Sequence, residues 1–552
     1  MMNAVRKIRI LLDERSFEYD IYTLVIAFFQ GAEVHVYNPG DLSFKEAELT
    51  VEVNASGADA RLLVEEIPAE PGEPPAAQEA PAELPVVQEP PAAQEAPAES
   101  PAVQAVPTER PAAQEVPTGR PSVQEAPGEP PFREERVIEA FSGLERSAQK
   151  NRLKRALYEM LRSLTGRDLP WGNLTGIRPV RLAMDFLMKE AGDGSAAAEN
   201  LTRTYYVSPR KADLAVRIAQ REKKILEKLR PQDHYSLYVG IPFCPSICLY
   251  CSFSSSPLGI WEKRVDDYLD ALIREIEASR TCFPGKKLQT VYIGGGTPTT
   301  LSPSRMDRLL CALEDNFAMD GIAEFTVEAG RPDSITPEKL EVLKHHSVSR
   351  ISINPQTMNQ KTLDLIGRRH SIEQTEEAFA LARSMGFDNI NMDIIVGLPG
   401  EGLEEVRRTM DHLMAMDPDD ITVHALALKR AARLSLHMDE YEKISFRASD
   451  EIMECTEKAC EALSMSPYYL YRQKNMAGNF ENVGYARPGK AGLYNILIME
   501  EVQSILALGA SGSTKIVEPD GRIWRIENVK DIRSYLERID EMIARKDPLR
   551  TE

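Results

Sequence analysis

Residues 236–251 read SLYVGIPFCPSICLYC, an apolar run that leads directly into three closely spaced cysteines. The run from Ser236 to Phe243 predicts a buried β-strand. Cys244, Cys248 and Cys251 follow it with the spacing C-x3-C-x2-C. Because thiolates are the usual protein ligands of iron–sulfur clusters, three of them can hold three irons of a [4Fe–4S] cube and leave the fourth iron open. The stretch therefore predicts a strand that presents a redox or radical cofactor.

A structural zinc site is the second interpretation of these thiols. Such sites normally close with four ligands, and no Cys or His lies close downstream of Cys251 to supply the fourth. Disulfides are disfavoured, because the chain has seven cysteines, an odd number, and Asp13 and Glu14 stand where a secretion signal needs apolar residues. The spacing favours an iron–sulfur cluster over zinc.

Much of the negative charge lies in one proline-rich segment. The chain of 552 residues carries a formal net charge of −19, of which residues 66–131, with 12 Glu and 2 Arg, contribute −10. The same segment holds 17 of the 37 prolines and repeats a ten-residue unit such as PAAQEVPTGR. Such a composition buries too little apolar surface to fold. Residues 66–133 are therefore expected to form an extended acidic spacer, with partner docking as the alternative.

The composition also limits where the chain works and what it binds. The longest clearly apolar run near the start, Thr23 to Phe29, is too short to cross a bilayer. Neither the charge nor any basic stripe points to nucleic acid. We therefore expect a soluble, cytoplasmic protein with no membrane span.

Strand and helix patterns divide the rest of the chain. Residues 1–65 are expected to form a small α/β module and residues 134–232 a helical region. From 233 to 430, strands alternate strictly with helices, which predicts an α/β fold, a partial (β/α)6 barrel. Residues 431–552 are expected to form a C-terminal α+β extension that covers the substrate. The six predicted barrel strands are Ser236–Phe243, Thr290–Gly294, Glu324–Glu328, Arg350–Asn354, Asn389–Leu398 and Asp420–Leu428.

Residues suited to chemistry fall at the carboxyl ends of these strands, the rim that carries the active site in parallel barrels. The cysteines follow the first strand, and the loop GGGTPT of residues 294–299 follows the second. Glu328 ends the third strand, Gln356 follows the fourth and Asp393 lies in the fifth. We expect these groups to share one rim of the barrel.

With these residues in view, the sequence resembles a known family. The cysteine spacing, the GGGTPT loop and the six-unit barrel are similar to those of the radical S-adenosylmethionine (SAM) superfamily. Within it, the resemblance is to the oxygen-independent coproporphyrinogen III oxidases, also called coproporphyrinogen dehydrogenases, and covers about residues 236–430. GNLTGIRP (172–179) resembles their clostridial and bacillar-type branch. The stretches that carry the resemblance are YVGIPFCPSICLYC (238–251), RISINPQTMNQKTLDLIGRRH (350–370) and NINMDIIVGLPGE (389–401).

The resemblance implies cofactors and a reaction. One or two SAM molecules would bind beside the [4Fe–4S] cluster, whose open iron chelates the methionine group. Cleavage of SAM would give a 5′-deoxyadenosyl radical that takes a hydrogen from a propionate of coproporphyrinogen III. Loss of carbon dioxide and one electron would leave a vinyl group, twice per substrate, giving protoporphyrinogen IX. A reduced electron donor such as flavodoxin or ferredoxin is implied, and a monomer is favoured.

The resemblance also implies roles for single positions. Cys244, Cys248 and Cys251 match the cluster ligands. A carboxylate at Glu328 can accept hydrogen bonds from the ammonium group of SAM. The positions that match SAM contacts are Tyr238, Tyr250, Gly295, Gly296, Thr297, Glu328 and Ala427 for the first molecule and Gln356, Arg368 and Asp393 for the second.

Two departures concern the substrate. Phe253 stands where some family members have a fourth cysteine, as it does in relatives thought to traffic haem. A haem-binding chaperone that lacks oxidase activity is therefore the alternative function. Those relatives usually carry a His-Asn pair in the tail, where this chain has Tyr494-Asn495. Guanidinium forks suit carboxylates, so cations of the C-terminal part are candidates for binding the propionates, although solvated surface charge is the favoured role for any single one. These candidates are Arg430, Arg433, Arg472, Lys474 and Arg525.

Overall fold

The computed structural model describes residues 7–41, 46–67, 131–176, 178–189, 193–253, 255–427, 448–473 and 476–550. Its strands are β1 (Lys7–Leu12), β2 (Glu33–Tyr37), β3 (Leu49–Asn54), β4 (Ala60–Glu66), β5 (Arg133–Ile138), β6 (His234–Ile241), β7 (Phe243–Cys244), β8 (Ser256–Pro257), β9 (Lys287–Gly295), β10 (Glu324–Glu328), β11 (Arg350–Ser352), β12 (Ile390–Val396), β13 (Asp420–Ala425), β14 (Ser466–Tyr471), β15 (Asn482–Ala486), β16 (Ser504–Leu508), β17 (Ser513–Val517) and β18 (Ile523–Glu527).

The helices of the described residues are α1 (Glu18–Phe28), α2 (Arg146–Thr165), α3 (Pro179–Lys189), α4 (Gly194–Tyr205), α5 (Pro209–Leu229), α6 (Leu258–Trp261), α7 (Val265–Ser279), α8 (Pro303–Asn316), α9 (Pro337–His345), α10 (Gln360–Leu365), α11 (Ile372–Ser384), α12 (Leu403–Met416), α13 (Asp450–Ala462), α14 (Leu493–Glu500), α15 (Ile532–Glu537) and α16 (Ile539–Ala544). None of these helices combines the length and the apolar character needed to cross a membrane.

Six parallel strands form the centre of the main sheet, in the order β13-β12-β11-β10-β9-β6. At least one helix separates each strand from the next along the chain, which confirms the predicted partial (β/α)6 barrel. Such strands are apolar on both faces, because helices cover one face and the barrel interior covers the other. In β12, for example, six of the seven residues are buried.

The first barrel helix is amphipathic. In α7, Val265, Tyr268, Leu269, Leu272 and Ile276 are fully buried, at the i, i+3, i+4, i+7 spacing of one helix face. Burial of each such side chain contributes about 1.5–3 kcal/mol. The stripe holds the helix against the sheet and so fixes the loops at the carboxyl ends of the strands.

The C-terminal extension continues this sheet at both of its edges. β15 pairs antiparallel with β13 and carries β14 on its other side. At the opposite edge β16 pairs parallel with β6, and the β17–β18 hairpin follows. The extension therefore adds five strands to the six of the barrel, giving a sheet of eleven.

The N-terminal module is a separate sheet of five strands in the order β2-β1-β3-β4-β5, and its core also contains α1 and α2. The prediction of a helical region from residue 134 is wrong at its start, since Arg133–Ile138 is strand β5 and α2 packs on this module. In β5 exposed and half-buried residues alternate. It is an edge strand rich in charge, which hides the usual strand pattern.

The ends of the acidic repeat meet at one edge of this module. β4 pairs antiparallel with β5, and Glu65 lies opposite Arg133 in the ladder. Glu66 N donates to Phe132 O at 2.9 Å. The predicted spacer, apart from its first and last residues, lies outside the described residues. Its attachment points show that it connects two neighbouring strands of one sheet.

Candidate active site

A cavity of about 540 Å³ lies at the carboxyl ends of the parallel strands. It is lined by all the residues to which the resemblance gave a role, namely Tyr238, Cys244, Cys248, Tyr250, Cys251, Gly295, Gly296, Thr297, Glu328, Gln356, Arg368, Asp393 and Ala427. They come from different strand–helix connections, so only the barrel brings them together. We call this space the cluster cavity.

The cysteine loop lies across one end of the cluster cavity. All three of its thiols are free, and burial raises the pKa of Cys244 and of Cys251. Thr297 Oγ1 donates to Cys244 Sγ at 3.5 Å. Leu249 N donates to Ile366 O at 2.9 Å, which ties the loop to the end of α10. The thiols are therefore gathered without any bond between them.

Arg368 connects the cysteine loop to the barrel. Its Nη1 lies 3.2 Å from Tyr250 Oη and 3.8 Å from Cys248 Sγ. Its Nη2 donates to the carbonyl oxygens of Gly330 at 2.8 Å and Asn354 at 2.5 Å. Most of its donors are thus used by protein groups, and its buried Nε has no hydrogen-bond partner among the described residues. The guanidinium positions the loop that carries the thiols.

The glycine loop leaves the space that a ligand needs. Gly295 has a φ of +107°, a backbone conformation that favours glycine. Gly296 N donates to Ile241 O at 2.7 Å, and a Cβ at Gly296 would lie 2.5 Å from Phe243 O. No side chain fits at that contact. The backbone itself therefore forms the cavity wall beside the thiols.

Glu328 ends β10 with its carboxylate inside the cluster cavity. Burial raises its pKa to about 7, against the opposing effect of a hydrogen bond from Tyr292. Tyr292 Oη donates to Glu328 Oε1 at 2.5 Å, and the Tyr292 ring stacks on Tyr494 with 4.6 Å between centroids. Near neutral pH this carboxylate lies between its charged and neutral forms, so a cationic ligand would draw it to the charged form.

Asp393 and Gln356 lie on the other side of the cluster cavity. Burial opposes the charge on Asp393, but His424 and Asn391 outweigh it and lower the pKa of Asp393. Gln356 adopts a φ of +67°, and its buried Oε1 has no hydrogen-bond partner in the described part of the chain. A buried acceptor of this kind is normally satisfied, so Gln356 fits a ligand that donates a hydrogen bond.

A second cavity, of about 930 Å³, adjoins the first. Tyr238, Gly295 and Tyr494 line both spaces. Ile241 of β6, Ile505 and Ala507 of β16, and Ile498 and Met499 at α14 supply apolar wall. The cations along this second cavity are Arg178, Arg472, Lys515, Arg525 and Lys530.

Two of the five Arg and Lys residues that were candidates for binding propionates lie in the described part of the chain, and both border the second cavity. Arg525 lines the second cavity, whereas Arg472, which also borders it, donates to carbonyl oxygens of Leu174 at 2.6 Å and Phe480 at 3.4 Å. Arg472 is therefore a structural residue, because backbone acceptors use its donors and one of them, Leu174 O, is distant in sequence. The remaining three, Arg430, Arg433 and Lys474, lie outside the described residues.

Sequence reasoning missed Arg178, Lys515 and Lys530. Arg178 belongs to the GNLTGIRP stretch, which carried the branch resemblance without a role, so that stretch was an available signal. Lys515 and Lys530 have no comparable signal. Only the pairing of β16 with β6 brings β17, which contains Lys515, and the segment after β18, which contains Lys530, to the cavity.

Comparison with known proteins identifies the family. The family model described as "Radical SAM superfamily" matches residues 238–413. The chain is 40% identical over 402 residues to the oxygen-independent coproporphyrinogen-III oxidase-like protein HemZ of Bacillus subtilis, covering 72% of this chain and 80% of that protein. The chain belongs to the HemN/HemZ-type radical SAM family.

Other members of this radical SAM family also match. Heme chaperone HemW of Lactococcus lactis is 30% identical over 278 residues, which cover 50% of this chain and 69% of that protein. Among solved structures, coproporphyrinogen III oxidase HemN from Escherichia coli matches with a TM-score of 0.46 and 24% identity. That match covers 58% of this chain and 73% of the other.

Radical SAM proteins use a [4Fe–4S] cluster and SAM, and the cluster cavity fits both. Its three free thiols offer the donor atoms that iron–sulfur cubes require. Gly295, whose φ of +107° favours glycine, and Gly296 form the cavity wall beside them. The unsatisfied Oε1 of Gln356 and the buried carboxylate of Glu328 offer acceptors to an ammonium or hydroxyl group.

Proposed function

We propose that this radical SAM protein converts two propionates of coproporphyrinogen III to vinyl groups by oxidative decarboxylation, giving protoporphyrinogen IX. The junction of the two cavities carries the proposal. Across Tyr238, Gly295 and Tyr494, the cluster cavity adjoins a space of about 930 Å³ with apolar walls and several cations. A macrocycle with an apolar centre and carboxylates at its rim suits such a surface. The name of the HemZ relative supports the same substrate.

In this proposal Cys244, Cys248 and Cys251 bind the cluster. When bound, the cluster and SAM together supply a 5′-deoxyadenosyl radical, which is strong enough to take hydrogen from carbon. In its charged form, buried Glu328 accepts hydrogen bonds from the SAM ammonium, which in turn stabilises that form against the effect of burial. The residues proposed to contact one or two SAM molecules are Tyr238, Tyr250, Gly295, Gly296, Thr297, Gln356, Arg368, Asp393 and Ala427.

The protein's part in the reaction is to bind, orient and exclude water. Each reacting propionate first loses one hydrogen atom from the side-chain carbon that is bonded to the pyrrole ring. The resulting radical then loses carbon dioxide and one electron, which leaves the vinyl group. A one-electron acceptor is therefore needed for every vinyl group formed. A reduced donor such as flavodoxin or ferredoxin would supply the electron that SAM cleavage consumes. The partly enclosed cluster cavity limits side reactions of the radical.

The test is an anaerobic product assay with the full chain. Reconstituted protein is incubated with SAM, a reductant, coproporphyrinogen III and an electron acceptor, and products are measured by mass spectrometry. We expect carbon dioxide and di-vinyl product from the wild type and neither from Cys248→Ala. Absence of vinyl product above that control would disprove the proposed function.

A haem chaperone is the second candidate function, and two observations favour it. HemW of Lactococcus lactis is 30% identical over half of this chain. Phe253, which stands at the position of the fourth cysteine of some relatives, is 72% exposed beside the cluster cavity. Stoichiometric haem binding, together with SAM cleavage that coproporphyrinogen III leaves unchanged, would favour the chaperone over the oxidase.

A further inference from the structure

Three cations in the second cavity converge on one carboxylate. Arg178 Nη2 lies 2.8 Å from Glu501 Oε2, and Arg525 Nη2 donates to Glu501 Oε1 at 3.0 Å. Lys515 Nζ lies 3.8 Å from the same Oε1. All four residues line the cavity. The group, which we call the Glu501 cluster, therefore holds two more positive charges than negative ones.

The burial of Lys515 makes the excess positive charge of the Glu501 cluster energetically unfavourable. Its side chain is only 7% exposed, and its described hydrogen bond goes to the neutral carbonyl of Ile498 at 3.0 Å. Burial, together with Arg525 and Arg178, lowers the pKa of Lys515 to about 8, although Glu501 acts in the opposite direction. A charge removed from water is normally matched by an opposite charge, and here the match is incomplete.

No second acid within the cavity lining supplies the missing charge. Glu501 is the one Asp or Glu among the described residues that border this space. The neighbouring Glu500 lies outside the lining, where its Oε2 lies 4.0 Å from Arg181 Nη1, and burial raises its pKa. The Glu501 cluster is thus prepared for an anion that enters the cavity from outside the chain.

The rest of the cavity limits what kind of anion fits. Ile498 and Met499 of the α14 region and Ile505 of β16 offer apolar surface next to the cations. A small inorganic anion would leave that apolar surface exposed to water. A ligand with an apolar body and carboxylate arms would cover the apolar surface and also contact the cations. The second cavity also shares the Tyr494 wall with the cluster cavity, so one molecule can reach both.

We propose that Arg178, Lys515 and Arg525 bind the two carboxylates of the substrate that do not react. This inference rests on the proposed function, because it assumes that a third carboxylate arm of the same molecule enters the cluster cavity. Two carboxylates neutralise the two excess positive charges of the Glu501 cluster. Glu501 keeps the cations ordered while the cavity is empty. The site therefore selects an apolar macrocycle that carries at least two carboxylates beside the reacting one.

Binding of a stable, fluorescent analogue tests the site apart from turnover. Coproporphyrin III, the oxidised tetra-acid, is titrated into the reconstituted full chain under anaerobic conditions, and its tetramethyl ester serves as the uncharged comparison. We expect the acid to bind at least about tenfold more tightly than the ester, as charge-assisted hydrogen bonds to carboxylates imply. Equal affinity for acid and ester would overturn the inference.

Variants identify the cations. Lys515→Met and Arg525→Gln should each weaken binding of the acid by about tenfold and leave that of the ester unchanged. Lys515→Arg should retain tight binding, which separates loss of charge from loss of packing if the Met variant is unstable. Arg522→Gln is the matched control, since Arg522 lies in the same hairpin, is 81% exposed and pairs with Asp520. Wild-type affinity in Arg525→Gln and in a folded Lys515→Met would overturn the site.

The turnover assay separates this inference from the proposed function. If the wild type makes vinyl product and the Lys515 and Arg525 variants keep its KM, the function stands and the site is wrong. If the wild type makes no vinyl product but binds the acid through these cations, the carboxylate site stands and the oxidase function is wrong. A raised KM with a nearly unchanged kcat in Arg525→Gln supports both.

Discussion

Tyr292 Oη donates a 2.5 Å hydrogen bond to Glu328 Oε1 inside the cluster cavity. This bond favours the charged carboxylate, whereas burial favours the neutral one and leaves the Glu328 pKa at about 7. The protonation state of Glu328, and with it the affinity for a cationic SAM group, therefore depends on pH within the range in which the protein is handled.

Affinity for SAM should consequently fall as the pH drops below about 7. Below that pH Glu328 becomes protonated and loses the charge that attracts the ammonium group, so the affinity should weaken by up to about tenfold per pH unit. Tyr292→Phe removes the hydrogen bond that lowers the pKa, and should move the midpoint to higher pH. Equilibrium dialysis of labelled SAM between pH 6 and 9 measures both, and an unchanged midpoint in Tyr292→Phe would contradict the assignment.

Gly296→Ala should abolish SAM binding or cluster assembly. The new Cβ would lie 2.5 Å from Phe243 O, so either the glycine loop or the strand before the thiols must move. Because close packing transmits such shifts, we expect SAM affinity to fall by more than about tenfold. Gly143→Ala is the control, since a Cβ there meets nothing within 4 Å. Wild-type SAM affinity in the Gly296 variant would contradict the tight packing of the glycine loop on the strand before the thiols.

Arg368→Gln should yield a folded protein that holds less iron. The substitution leaves the buried carbonyls of Gly330 and Asn354 without their donor and releases the loop that carries Cys248. Loss of these contacts costs about 3 kcal/mol. Iron and sulfide per chain after anaerobic reconstitution measure the effect. The exposed neighbour Arg369, changed to Gln, should load a full cluster; equal loading of both variants would contradict the anchoring role.

Deletion of residues 70–130 should preserve both the fold and SAM cleavage. Because β4 and β5 are paired, the deletion leaves a short connection between strands whose ends already meet. Shortening the connection between two paired strands to this extent stabilises the module by about 2 kcal/mol through loop closure. Thermal unfolding of the truncated chain should therefore occur at the same or a higher temperature. A collapse in cleavage rate would instead indicate that the repeat docks a component of the reaction.

The sequence predicted the strands of the barrel well. It did not predict the edge strand of the N-terminal module or the contacts of cations with residues distant in sequence. Parallel strands such as Ile390–Val396 are mostly apolar and almost entirely buried, and their carboxyl ends mark the active rim, so local sequence is enough to find them. The strand Arg133–Ile138 was not predicted, because an edge strand is half exposed and needs no apolar run. Arg472 was misjudged because its acceptor at Leu174 is almost three hundred residues away. The Glu501 cluster could not be predicted either, because only the fold brings Arg178 close to Glu501, Lys515 and Arg525.

The pairing of β6 with β16 has a consequence for biosynthesis. β6 leads into the cysteine loop, yet one of its two neighbours, Ser504–Leu508, lies close to the end of the chain. During synthesis, β6 therefore has one unpaired edge until more than two hundred and fifty further residues, up to β16, have emerged from the ribosome. Iron should be delivered after β16 has emerged and paired with β6, and a chaperone that shields this edge would raise the yield of loaded protein.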